Sequence, residues 1–296
     1  MSNNYLNMYS SVTSEGVRVS FFGWASLCAV AVLLWAASAG AFAQGPPLLP
    51  VKATSVDETI RHPWVIPSPR EAESYFTNIK DGGVYESPFV ARFGLSMRGL
   101  VPAGKSAGRA GHHHLLINQA LPLDFKKPLP FNEKYIHFGK GQMEALVDLP
   151  PGSYDLRLLL ADQAHIPYFV YSKPMKITVS KQNKGVSPAS VLGAPGAQIL
   201  TPASGDSVAR PFRIQFHASG YNISNADPKA PDTGHFRLTM DRTGSKSEVL
   251  NFTGGQTETW INPPPGEYKM QLELISNTDG SVMSKARPVT VGVHGQ

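Results

Sequence analysis

Thiols are the first absence. The 296-residue chain has one cysteine, Cys28, and it falls inside an apolar leader. A chain cleaved after that leader has no disulfide, no Cys-ligated metal and no Cys nucleophile. Charge is sparse as well, at 17% of residues, with 27 basic against 22 acidic side chains. No run of five or more basic residues occurs, so the net charge of +5 gives no reason to expect nucleic acid. Heptads, collagen triplets and helical stretches of usable length are missing too. So are the G-x-S-x-G, P-loop, G-x-G-x-x-G and H-E-x-x-H motifs. Gly139-Lys140-Gly141 lacks the spacing of a nucleotide-hydrolysing loop. The pairs Asp57/Glu58, Glu71/Glu73 and Asp155/Asp162 are scattered and suit solvation. The expectation is a protein that is not an enzyme.

What is present begins with an address. Phe21 to Ala37 is an apolar run preceded by Arg18, and Ala41-Phe42-Ala43 is a small-x-small cleavage pattern before Gln44. Residues 1–43 are therefore expected to be a signal peptide, with an uncleaved anchor as the alternative. Residues 44–73 carry GPPLLP and HPWVIPSPR and are expected to be a Pro-rich linker. A second linker, 181–197, is small, polar and rich in Pro and Gly. Between and after them lie two blocks, 74–180 and 198–296.

The two blocks are copies of one another. Ser87-Pro88-Phe89-Val90-Ala91-Arg92-Phe93 answers to Arg210-Pro211-Phe212-Arg213-Ile214-Gln215-Phe216. At the same offset of 123, the segment from Gly111 to Asn118 answers to that from Gly234 to Asp241. The offset then drops to 114, where His137-Phe138-Gly139-Lys140-Gly141-Gln142 answers to Asn251-Phe252-Thr253-Gly254-Gly255-Gln256. Pro150-Pro151-Gly152-Ser153-Tyr154 likewise answers to Pro264-Pro265-Gly266-Glu267-Tyr268. The first copy thus carries a loop about nine residues longer, around Gln119–Tyr135.

Apolar residues alternate in both copies. Phe89, Ala91 and Phe93 match Phe212, Ile214 and Phe216, and Tyr154, Leu156, Leu158 and Leu160 match Tyr268, Met270, Leu272 and Leu274. Period-two alternation punctuated by Pro-Pro-Gly turns is the pattern of antiparallel strands. The expected fold is all-β, with two tandem immunoglobulin-like antiparallel β-sandwich domains of roughly seven strands each. Such domains are expected to melt separately across the second linker.

The same parity sorts the histidine triplet. His113 shares the register of Leu115 and Ile117, and its counterpart is Phe236, so it is expected to point inward. His112 and His114 then project together from the other face, the spacing of a His-x-His metal grip. His137, His165 and Met97 are candidates for further ligands. The second copy keeps His235 but has Arg237, Asn251 and Asp279 in place of His114, His137 and His165. The framework therefore does not need those imidazoles. His112, His114, His137 and His165 are the candidate metal residues.

The blocks Gly111-His112-His113-His114-Leu115-Leu116-Ile117-Asn118, Ile136-His137-Phe138-Gly139-Lys140-Gly141-Gln142 and Leu149-Pro150-Pro151-Gly152 resemble a bacterial family catalogued as domain of unknown function 4399. The resemblance covers about Tyr75 to Val179, and it reaches the second block only through the repeat. It implies a secreted or periplasmic domain and no established activity. The family often has a second histidine soon after His165, where this chain has Ile166-Pro167-Tyr168.

These readings combine into an exported, non-catalytic binding protein whose first domain holds copper or zinc, cations suited to imidazole-rich, thiol-free ligation. No nucleic acid partner is expected, and no membrane contact after leader cleavage. The competing expectation is a structural module that meets an envelope protein partner, with the histidines only ordering loops.

Overall fold

The structure is a computed structural model that describes residues 62–122 and 124–295. The leader and its cleavage point before Gln44 lie outside these residues. Among the described residues, no helix is long and apolar enough to cross a membrane.

The first half of the chain forms β1 (Val65–Ile66), β2 (Ser74–Phe76), β3 (Gly83–Ser87), β4 (Phe89–Leu95) and β5 (His112–Ile117). It continues with β6 (Tyr135–His137), β7 (Glu144–Val147), β8 (Gly152–Ala161), β9 (Pro167–Tyr171) and β10 (Met175–Gln182). A short helix, α1 (Pro188–Leu192), follows. It begins where the Ser187 side chain caps the Ser190 N–H and Pro188 takes the first turn. The second half forms β11 (Gly196–Thr201), β12 (Ser207–Ala209), β13 (Phe212–Ser219), β14 (Asn222–Ile223) and β15 (Thr233–Arg242). Then come β16 (Glu248–Asn251), β17 (Glu258–Ile261), β18 (Gly266–Ser276), β19 (Val282–Lys285) and β20 (Val289–His294).

Each copy is a two-sheet sandwich of the immunoglobulin-like kind. In the first, the sheet β3-β10-β8-β5-β6, with β9 on β8, packs on β2-β4-β7. In the second, β12-β20-β18-β15-β14, with β16 and β19, packs on β1-β17-β13-β11. Pairing is antiparallel except at β3–β10, β12–β20 and β14–β15. The alternating residues meet between the sheets: Phe89, Ala91 and Phe93 with Leu115, Leu156 and Leu158 in one core, and Phe212, Ile214 and Phe216 with Leu238, Met270 and Leu272 in the other. After each Pro-Pro-Gly turn a repeated tyrosine reaches back, Tyr154 donating to the Pro150 carbonyl at 2.9 Å and Tyr268 to that of Pro264 at 2.8 Å.

The described end of the 44–73 segment is tied to the second sandwich. Val65 and Ile66 pair with Ile261 and Trp260. The two sandwiches also share a buried face. Leu95, Leu100, Met143, Leu160 and Val170 of the first lie in one apolar cluster with Phe212, Phe216, Phe236 and Phe252 of the second. The repeated Gly-Gln blocks build this face reciprocally. Ile223 N–H donates to the Gly141 carbonyl at 2.8 Å, and Leu100 N–H donates to the Gly255 carbonyl at 2.9 Å. Both glycines have positive φ, 86° and 77°. A Cβ at Gly141 would meet the Ile223 oxygen at 2.0 Å, and one at Gly255 the Leu100 oxygen at 2.3 Å. Only glycine fits so close a backbone approach.

Glu144 locks the same face. Its carboxylate accepts from His217 Nε2 at 3.2 Å, from the Ser219 hydroxyl at 3.0 Å and from the Gly220 N–H at 3.1 Å. Arg92 stands 3.5 Å away. Burial alone would raise the Glu144 pKa. The hydrogen bond and charge of His217, the Ser219 hydroxyl and Arg92 outweigh it and hold the carboxyl below its ordinary value of 4.5.

Two outcomes follow from this joint face. Because the sandwiches share buried apolar surface, the expectation of separate melting gives way to coupled unfolding. Phe93→Ala and Phe216→Ala should each cost about 3–5 kcal/mol and shift a single calorimetric transition. Two transitions, each moved by only one variant, would contradict the shared core. A carboxyl with a depressed folded pKa contributes stability above its unfolded pKa and loses it as pH falls through the folded value. Glu144→Gln should therefore cost about 1–3 kcal/mol at neutral pH, and the gap between variant and wild type should shrink below pH 4.5. Denaturant melts across pH 2–7 check it, and a gap independent of pH would refute the assignment.

Candidate metal centre

The site starts from one strand register. β5 pairs with β8 so that His112 faces Ala161, His113 faces Leu160 and His114 faces Leu159. His113 enters the core, 1% exposed, with its ring 5.6 Å from that of Phe93 and Nδ1 3.4 Å from the Ser74 hydroxyl. His112 and His114 point to the other face of the sheet, as strand parity requires. That face would ordinarily meet solvent, yet both are fully buried. The long loop between β5 and β6 supplies the cover. Its Leu121, Phe125 and Leu129 pack on Leu116, Leu159 and Ala161 in a separate small apolar cluster.

The remaining imidazoles arrive from two other elements. His137 ends β6 directly opposite His114 in the antiparallel register. His165 lies in the turn between β8 and β9 at φ 64°, a left-handed conformation unusual for a residue with a Cβ. Asp162 holds that turn. Its carboxylate accepts the N–H groups of Ala164 and Ile166 at 2.8 and 2.9 Å, and its carbonyl accepts the His165 N–H at 2.9 Å. The His165 carbonyl in turn accepts the Leu129 N–H, tying turn to loop.

The four imidazoles lie side by side, and three of them, His112, His114 and His137, form a group close enough to share one ion. Nε2 of His112 and His114 are 3.2 Å apart, and Nε2 of His137 and His165 are 3.3 Å apart. The rings of His112 and His137 are separated by 4.8 Å between centroids, those of His114 and His137 by 5.0 Å, and those of His112 and His165 by 5.1 Å. One ring nitrogen from each of His112, His114 and His137 falls within 4.8 Å of the others. Phe131, 61% exposed, places its ring edge-on against His137 and His165. Met97 lies elsewhere in the chain path, half-buried in the turn after β4 at φ 56°.

The environment favours the neutral form of His112, His114 and His137. Burial first, then the neighbouring imidazoles, lowers the pKa of His112 to about 3 and that of His114 to about 2. Burial and His165 also lower that of His137. A neutral imidazole offers a lone pair, the form a metal needs. Nδ1 of both His112 and His114 is buried without a hydrogen-bond partner among the described residues.

One positioning residue escaped the sequence reading. A Cβ at Gly139 would lie 2.2 Å from Cε1 and 2.5 Å from Nε2 of His137. The absence of that side chain leaves the imidazole its place. The repeat carried a signal for this, since Gly139 becomes Thr253 in the copy where His137 becomes Asn251.

The second copy fills the same positions differently. Arg237 pairs with Asn251 across the strands, as His114 does with His137. Its guanidinium donates to Glu273 through Nε at 3.1 Å and Nη2 at 2.7 Å. His235, the counterpart of His112, donates to the Asn277 side-chain oxygen at 2.7 Å. These groups are satisfied by one another, and no imidazole cluster forms there among the described residues.

The family described as Domain of unknown function (DUF4399) matches residues 91–180 and 214–294, more than half of the chain, and the protein belongs to it. Both copies of the repeat are thus family domains. A search of curated proteins finds no match. Among solved structures, the fibronectin(III)-like modules of CbhA from Clostridium thermocellum align over 75% of this chain and 94% of theirs, at 11% identity and TM-score 0.24. The FN1-FN3 domains of chicken CNTN1 align over 76% and 67%, at 10% identity and TM-score 0.25.

Gly139→Ala tests the packing at the site. The added methyl should displace the His137 ring and move the imidazole nitrogen resonances of His137, His114 and His165, leaving His235 unmoved. An unchanged set of His137 resonances in a folded variant would show that the ring does not rest on Gly139.

Proposed function

We propose that this protein is an exported, non-catalytic binding protein that holds one copper or zinc ion through Nε2 of His112, His114, His137 and His165. The observation that carries the reading is the pair of short nitrogen–nitrogen separations. Two imidazole nitrogens at about 2.0–2.1 Å from a tetrahedral ion lie about 3.3–3.4 Å apart. The two pairs here stand at 3.2 and 3.3 Å. Thiol-free imidazole nitrogen ligands, two of them fully buried, suit these metals better than magnesium or calcium, which take oxygen. The apolar run from Phe21 to Ala37 and the Ala41-Phe42-Ala43 pattern support export to the periplasm or outside the cell.

The competing role is a structural envelope module in which each imidazole pair is only a hydrogen bond between complementary tautomers. Titration calorimetry on the whole protein separates the two. One ion per chain is expected, with His112→Ala and His114→Ala each abolishing tight binding and His113→Phe leaving it largely intact. Wild-type binding no tighter than that of a variant with all four histidines replaced by alanine would leave the structural role standing.

A further inference from the structure

The charge around the four imidazoles deepens the metal reading and rests on it. Elsewhere this fold sets carboxylates on histidines: Glu248 lies 3.1 Å from His62 Nε2, and Glu144 lies 3.2 Å from His217 Nε2. Among the described residues, no hydrogen bond or ion pair puts a carboxylate on His112, His114, His137 or His165, and the three that cluster within 4.8 Å have no acidic member. The repeat makes the omission pointed. In the second copy the residue across from Arg237 is Glu273, whose carboxylate reaches it at 2.7 Å. In the first copy the residue across from His114 is Leu159, fully buried. The framework accommodates an acid at this position, and the metal site has an alkyl group there.

We infer that the site is selective for a monovalent soft ion, cuprous copper, over zinc. The penalty for transferring an ion from water into a low-dielectric interior grows with the square of its charge. Four imidazole ligands, with Leu159 and Ala161 beside them and Leu121, Phe125 and Leu129 packed on that pair, leave a divalent ion with no acidic group among the described residues to offset its charge. A cuprous ion brings half the charge and a quarter of that penalty. Zinc-bound histidines almost always pass their second N–H to a carboxylate, carbonyl or water, which raises their basicity. Nδ1 of His112 and of His114 has no such partner among the described residues. A soft monovalent ion brings less charge for its ligands to offset, and it accepts two, three or four imidazoles without demanding an anion to complete its sphere.

The test is a competition on the whole protein under anaerobic, reducing conditions. Cuprous ion is titrated against bathocuproine disulfonate, and zinc is titrated separately against a fluorescent zinc chelator. Cuprous affinity at least about a hundredfold above that for zinc is expected. Zinc affinity equal or greater overturns the cuprous inference and leaves the metal-binding reading intact. Failure of both ions to bind overturns both. Leu159→Glu places an acid where the second copy has one, and in a folded variant it should shift the selectivity towards zinc by at least about tenfold. An unchanged ratio in that variant overturns the charge argument. Should the variant not fold, the wild-type ratio decides alone.

Discussion

The pairing of β5 with β8 and β6 is the constraint on which the site depends. Side chains alternate across a strand, so a single register sends His113 into the core beside Phe93 and puts His112 and His114 together on the other face. A slip of one residue would exchange those faces. Two imidazoles would then enter a core shaped around Phe93 and Phe138, and one would be left outside. The same register sets His114 opposite His137. Three of the four imidazoles are therefore placed by backbone pairing alone. Only His165 relies on a turn, and Asp162 holds that turn with two side-chain hydrogen bonds.

Burial of the site is a separate construction. The outer face of β5 and β8 would be a solvated face without the loop before β6. In the second copy the loop is short, and the equivalent positions carry Arg237 and Glu273, a salt-bridged pair with side chains 33% and 14% exposed. In the first copy Leu121, Phe125 and Leu129 cover Leu116, Leu159 and Ala161 beside the imidazoles, and among the described residues those rings have no carboxylate partner and two of their Nδ1 atoms no hydrogen-bond partner. Unpaired buried polar groups cost roughly 1–3 kcal/mol each. The fold alone does not require imidazoles there, because the sister sandwich reaches the same architecture with Arg237 and Glu273 at the positions of His114 and Leu159. The imidazole cluster is what distinguishes the first copy, since its sister fills the same strand positions with the Arg237–Glu273 ion pair.

Much of this was legible in the sequence. Period-two alternation at Phe89–Phe93 and Phe212–Phe216 gave the strands and their buried faces, and the repeat gave two sandwiches of one kind. The match of His113 to Phe236 predicted its inward direction. What stayed hidden depends on turns and on contacts between distant segments. No periodicity shows that the turn after β8 takes φ 64° at His165 and carries its ring to His137. The extra length of the loop was visible, but its role as a roof was not, since Leu121 and Leu129 follow no strand or helix period. The linker composition of 181–197 suggested independent domains, yet the composition of a connection says nothing about the surfaces it joins. The shared face is made instead by residues that look ordinary in sequence, Leu95, Leu100 and Met143.

The duplication and the shared face are connected. Gly141 and Gly255 occupy matching places in the two copies, as do Leu100 and Ile223. The bond from Ile223 to Gly141 is the counterpart of the bond from Leu100 to Gly255. Each copy thus gives the other the contact it receives, which is the arrangement of a twofold interface between identical subunits. Departures from that symmetry fall on the flanking side chains. Glu144 takes His217 and Ser219 from the opposite sandwich, whereas its counterpart Glu258 accepts the Tyr75 hydroxyl at 2.6 Å. The backbone contacts are kept equal because glycine at positive φ permits them on both sides, and the side chains around them are free to differ. The histidines follow the same rule at the far face of the sheet. A common backbone register is retained in both copies, and the chemistry it presents has been made different in each.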